Sequence, residues 1–182
     1  MEHLYYLVSQ LPSFSSSADS NNKLPITTEY FKDLCQRFMS PEDAETASKL
    51  SLEPPRVKES TGSVFLDTWY QQERKLRFAL AQLRALKMKK DAKDIPATTE
   101  AEIVQAARTA TGMDSPLSAE QYLNEYRLSV LDKIAPLDNF SVDAVFNYGL
   151  RLMLCERMHK FNKDEGLASY RKIYDEILGE NK

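Results

Sequence analysis

Glu156 is the residue whose setting could most readily do chemistry. On a helix opened at Val142 it falls within about 40° of Val145, Gly149 and Leu152, in the middle of an apolar arc. A carboxylate among apolar groups either carries a cationic partner or shifts its pKa upward. The best candidates are Arg77 and Arg84, which share one polar ridge of an earlier helix. Because no second carboxylate stands at a fixed spacing, a structural ion pair is the stronger reading and a general acid or base the weaker one. Cys155 and His159, four residues apart, could form a thiolate–imidazolium pair or half a metal site. Their face also holds Tyr148, and the other cysteine and histidine, Cys35 and His3, are far off in sequence. Core packing is therefore the expectation for both. No catalytic, cofactor-binding or metal-ligating residue is assigned.

Residues 73–93 carry a third chemical signal. Arg74, Lys75, Arg77, Arg84, Lys87, Lys89, Lys90 and Lys93 stand against Glu73 and Asp91, a net of +6. The total charge is −3, so the rest of the chain carries −9. Such a run can grip nucleic acid, anionic headgroups or an acidic protein. It also suits a solvated helix end, where lysines complement the negative pole of the dipole. No aromatics interleave the lysines as single-strand binders require, so the helix-end reading is preferred. The five glycines, at 62, 112, 149, 166 and 179, are too scattered to form a phosphate-cradling loop. Nucleotide, nucleic-acid and cofactor binding are not expected.

The elements that must position these groups are helices. Sparse glycine disfavours tight-turned sheets, and Trp69–Lys90 is apolar on two opposite sides. At about 100° per residue, Trp69, Leu76, Leu80, Leu83 and Leu86 fall on one side, and Tyr70, Phe78, Ala81, Ala85 and Met88 on the other. A helix needing cover on both sides belongs at the centre of a bundle. Around it, Thr27 and Ser40-Pro41 read as helix starts, Thr99-x-x-Glu102 and Ser118-x-x-Gln121 as capping boxes, and Ser141 as the start of a helix reaching about Phe161. A last helix from about Asp164 turns Leu167, Tyr170, Ile173, Tyr174 and Ile177 inward. The expectation is an all-α bundle of about seven helices around a long helix at 64–91. It forms one domain, with 1–62 as an N-terminal lobe and 63–182 as the main bundle. Ser13–Asn22 reads as a surface loop, and Leu4–Val8 as a helical or extended segment laid on the bundle.

The two cysteines suit a reducing cytoplasm, and Met1–Gln10 lacks the basic start of a signal peptide. No apolar run approaches the 18 or so residues a membrane span needs. A soluble protein without direct membrane insertion is expected.

The ordered motifs point further. They are Tyr5-Tyr6-Leu7-Val8 with Leu11-Pro12, Leu24-Pro25 before Tyr30-Phe31 and Cys35, and Ser40-Pro41-Glu42-Asp43. Glu73-Arg74, Leu76-Arg77, Leu80-Ala81 and Leu83-Arg84-Ala85 follow, then Ser115-Pro116-Leu117 with Tyr122-Leu123, and Leu152–Phe161 with Glu156-Arg157. In this order and spacing the chain resembles an uncharacterised bacterial family encoded within V/A-type ATPase operons. The resemblance implies a non-catalytic connector, a reduced relative of the helical ATPase component that seats the central stalk on the rotor ring. Its partners would be stalk and ring subunits, and its place the cytoplasmic side of the inner membrane, held there through the complex. The full-length connector of those ATPases has three helical lobes, more than 182 residues can supply. The expected contact surface is Tyr5, Tyr6, Leu11 and Phe14, with the apolar residues of Leu167–Leu178, beside Lys87, Lys89 and Lys90. Two rivals stand beside it: a nucleic-acid-binding or regulatory module using 74–93, and a helical enzyme built on Glu156 or on Cys155 and His159.

Overall fold

The computed structural model describes residues 2–15, 24–57, 59–160 and 163–179. Among them are eight helices and no strand: α1 (Glu2–Gln10), α2 (Thr28–Phe38), α3 (Pro41–Ser48), α4 (Val64–Lys87), α5 (Ala101–Gly112), α6 (Pro116–Lys133), α7 (Val142–His159) and α8 (Lys163–Leu178). The all-α expectation holds, with α1 fully helical. Most of the expected Ser13–Asn22 loop lies outside the described residues.

Short polar side chains set the helix starts. Thr27, Ser40, Ser63, Ser115 and Ser141 each accept a backbone N–H from three residues on, satisfying donors that the first turn leaves without partners. Two expected caps are corrected. α6 begins at Ser115-Pro116 rather than Ser118, because proline at the first helical position is already set to the helical φ. α5 begins at Ala101 with no side-chain cap bond, and its leading Glu100 pairs instead with Lys75 of α4. The central helix stops at Lys87, short of residue 91. Lys89 takes φ 54°, and the N–H groups of Lys89 and Lys90 bond back to the carbonyls of Leu86 and Ala85. That left-handed terminal turn satisfies the last carbonyls, with lysine in the place glycine usually fills.

Two apolar cores meet along α4. The larger holds Leu7, Phe31, Trp69, Leu131, Leu150 and Leu152, gathered from α1, α2, the first half of α4, the end of α6, and α7. The smaller joins Leu76 and Leu80 of α4 to the alanine stripe of α5 (Ala106, Ala107, Ala110) and to Leu123 of α6. Small side chains on α5 let it lie close along α4. The cores do not follow chain order, since α4 and α6 each contribute to both. Gly149 lets α7 approach α2: a Cβ there would come within 2.5 Å of the Phe31 ring.

Candidate functional site

Glu73 sits where the two cores meet, between Tyr70 and Leu76 on α4, and is only 2% exposed. Arg127 of α6, 5% exposed, meets it with a two-pronged contact: Nε donates to Oε2 at 2.9 Å and Nη2 to Oε1 at 3.0 Å. Arg77, one turn along α4, donates from Nε to the same Oε1 at 2.8 Å and reaches Glu53 at 3.5 Å. The remaining prong of Arg127, Nη1, donates to Asn124 Oδ1 at 3.2 Å, and Asn124 in turn donates to the Met158 sulfur of α7. Glu120 lies 4.0 Å from Arg127 and accepts from Arg157 of α7 at 2.9 Å. The result is a chain of alternating charge, Arg77–Glu73–Arg127–Glu120–Arg157, that ties α4, α6 and α7 together.

Both carboxylate oxygens of Glu73 are occupied, and Arg127 spends all three of its nitrogen groups on protein partners. This network positions helices, its buried members bonded to the protein's own groups. The planar guanidinium fork matches a carboxylate in one orientation, so it fixes the register of α6 against α4.

The expected pairing of Glu156 with Arg77 or Arg84 is corrected. Arg77 belongs to Glu73, and Arg84 lies exposed on the far end of α4. Glu156 is half-buried and accepts from the backbone N–H and the hydroxyl of Thr28, both at 2.6 Å. Thr28 is the first residue of α2, so the carboxylate caps that helix at the positive end of its dipole. The apolar arc does signal an electrostatic need, but a helix terminus answers it in place of a guanidinium.

Cys155 is buried and His159 half-buried near the end of α7. Burial pushes the Cys155 thiol above its ordinary range despite the Arg151 cation nearby, whereas a nucleophilic cysteine needs a thiolate. Burial drives the Cys35 thiol up to about 12. No cluster of three or more candidate metal ligands exists among the described residues. A recess of about 540 Å³ lies between the 51–61 segment and α4, lined by Lys49, Glu53, Arg56, Glu59 and Tyr70 among others. It includes neither Glu156 nor Cys155 nor His159.

Several members of the basic run are engaged by the protein's own groups. Arg74 donates to the Pro55 carbonyl, Lys75 pairs with Glu100, and Lys87 reaches the Thr111 carbonyl at 3.5 Å. Lys89 and Lys90 are exposed at the helix stop. Of the expected contact residues, Leu11 and Phe14 pack against the larger core, where Phe14 meets the Tyr148 ring edge-on at 5.1 Å. Tyr5 and Tyr6 stand about half exposed, Tyr5 stacked on Phe140 at 4.2 Å. Three residues before Phe140 in the chain, Leu137 is fully exposed, and a groove of about 310 Å³ lined by Val8, Leu11, Pro136 and Tyr148 lies between α1 and the α6–α7 connection.

The inward orientation expected for the last helix is corrected most sharply. Every described side chain of α8 is exposed, including Leu167, Tyr170, Ile173, Tyr174, Ile177 and Leu178, and the helix shares no substantial packing with another. Its apolar stripe is real, and nothing among the described residues covers it.

Sequence reasoning missed Glu73, Asn124 and Arg127. The signal was present. Glu73 lies on a ridge between two apolar sides of α4, so covering both sides encloses it. Arg127 stands four residues from both Leu123 and Leu131, in a position whose helical neighbours are apolar.

A family model described as "Protein of unknown function (DUF2764)" matches residues 102–181, from the first turn of α5 to beyond the end of α8. No curated protein and no solved structure matches the chain. The match covers nearly all of the last four helices, with the exposed α8 inside the matched region.

Proposed function

We propose that the chain is a non-catalytic helical connector of a bacterial V/A-type ATPase, working at the junction of central stalk and rotor ring. The observation that carries this reading is the apolar surface left uncovered on an otherwise well-packed bundle: the α8 stripe, and the Tyr5–Phe140–Leu137 patch on the body. Monomeric surfaces rarely expose contiguous apolar patches of this kind unless a partner covers them. The resemblance of the ordered motifs to the operon-encoded family supports stalk and ring subunits as that partner. A rigid body locked by the Glu73–Arg127 network suits the transmission of torque. Among the described residues no helix is long and apolar enough to cross a membrane, so attachment would run through the complex. The enzyme alternative loses ground to a Cys155 thiol that burial pushes above its ordinary range and to a Glu156 that caps α2. The nucleic-acid alternative loses ground to the internal engagement of Arg74, Lys75 and Arg77.

Affinity purification of the tagged chain from its native host in mild detergent tests the proposal. Recovery of identified stalk and ring subunits is the expected result. Recovery of the chain alone, from cells in which the ATPase is assembled and abundant, would overturn it.

A further inference from the structure

We infer that α8 is a self-association helix, pairing antiparallel with α8 of a second copy of this chain. Such pairing goes beyond the connector reading and does not depend on it.

The stripe has the right extent. Leu167, Tyr170, Tyr174 and Ile177 follow a three–four spacing over two heptads, with Ile173 and Leu178 widening it to an arc of about 140°. At their exposures of 47–77%, these six side chains present roughly 600–700 Å². Two copies would bury at most roughly 1,200–1,400 Å² of this stripe, against the ~1,000 Å² a specific interface needs.

Charge selects the occupant. In sequence the helix sets Lys163, Arg171 and Lys172 against Asp164, Glu165, Asp175 and Glu176, so it lacks the basic excess of a helix that lies on anionic lipid. In an antiparallel pair, Leu167 faces Ile177 of the second copy and Tyr170 faces its Tyr174, which fills all four layers of the stripe. That register brings Arg171 beside Asp175 of the second copy, and twofold symmetry makes the contact twice. The two Arg171 side chains also approach near the axis, each next to its Asp175 counter-charge. Neither Arg171 nor Asp175 is ion-paired among the described residues. A parallel pair would set Arg171 against Gly166 and Ile173, with no charge to complement it.

Analytical ultracentrifugation of the full chain tests this over a concentration series reaching about 100 µM. A mass that rises from monomer to dimer with concentration is expected. Tyr174→Asp should weaken association at least ~100-fold, since each dimer carries the change twice, while circular dichroism of the folded body stays as in wild type. Arg171→Asp and Asp175→Arg should each weaken it at least ~tenfold by setting like charges together. Mixed at equal concentration, these two variants should re-form a dimer within about threefold of wild-type affinity, because opposite charges then meet across both contacts. Neither helix has the restored pair within itself, so rescue on mixing reports contact between copies. A wild type monomeric throughout the series overturns the inference, as does a dimer indifferent to Tyr174→Asp or a mixture that is not rescued. A monomeric chain that captures ATPase subunits through α8 would overturn self-pairing and leave the connector standing. A dimer that captures none would do the reverse.

Discussion

α4 and α8 carry the same kind of amphipathic information and meet opposite fates. α4 is wrapped by α5, α6 and α7 so thoroughly that the charge on one of its polar ridges, Glu73, is enclosed. α8 has six large apolar side chains and none is covered. A hydrophobic stripe therefore states that cover is needed without stating who provides it. Where the chain provides it, polar groups caught inside must be paired by the same neighbours; where it does not, the stripe is an address for another molecule.

The hardest blow to the comparison falls on the seam of α4. Glu73→Gln takes the nearest counter-charge from the buried Arg127 guanidinium and leaves it only Glu120, 4.0 Å away, and breaking such a buried pair costs about 3–5 kcal/mol. Urea unfolding followed by circular dichroism should show this as a lowered midpoint at nearly unchanged slope. Replacing both partners with apolar residues, Glu73→Leu with Arg127→Met, should recover part of the loss, because no stranded charge remains although the buried Asn124 Oδ1 loses its donor. A loss below about 1 kcal/mol for Glu73→Gln would mean that water reaches the seam and that α4 is less enclosed than described.

Gly149→Ala probes the covered side with a single methyl group. The added Cβ would lie 2.5 Å from Phe31 Cε1 and 2.8 Å from Cζ, and both atoms belong to a ring that is itself fully buried. The ring cannot turn aside without moving α2, so a loss of about 1–3 kcal/mol is expected from thermal or urea unfolding. No loss would show that the α2–α7 contact is slack.

Glu156→Gln comes next. The amide keeps an acceptor for Thr28 but gives up the charge at the start of α2, and losing a cap of this kind costs about 0.5–2 kcal/mol. A loss as large as that of Glu73→Gln would show that Glu156 is an enclosed charge after all.

The architecture was legible because it rests on local physics. Ser40-Pro41 and Ser141 announce helix starts through one hydrogen bond each, and the two-sided pattern of Trp69–Lys90 demands a central position. What lay beyond reach was partnership at a distance. The arc around Glu156 shows a need for positive potential, and a helix N-terminus meets that need as well as Arg77 does. Arg77 in turn was claimed by a nearer acid, one turn away on its own helix. The stripe of α8 reads the same whether it faces a core or a partner, since periodicity records a face and not its neighbour. Lys89 offered no local signal at all: lysine at φ 54° stands where glycine is the usual choice.

The smallest expected effect sharpens the contrast most, because it repeats the methyl probe on the uncovered helix. Gly166 lies inside α8 with nothing within 4 Å of an added Cβ. Gly166→Ala therefore meets no clash, and it removes the entropic cost of glycine in a helix interior, worth about 0.5–1 kcal/mol. Because α8 is not packed on the bundle, the gain should appear locally. Far-UV circular dichroism at low protein concentration should show slightly greater helicity, while the unfolding midpoint of the body stays within about 0.5 kcal/mol of wild type. The same substitution would thus destabilise at 149 and stabilise at 166. Destabilisation of the whole chain by Gly166→Ala would mean that α8 packs against the body closely enough to exclude a methyl group. The division between covered and uncovered helices would then fail, and with it the case for an external partner on the α8 stripe.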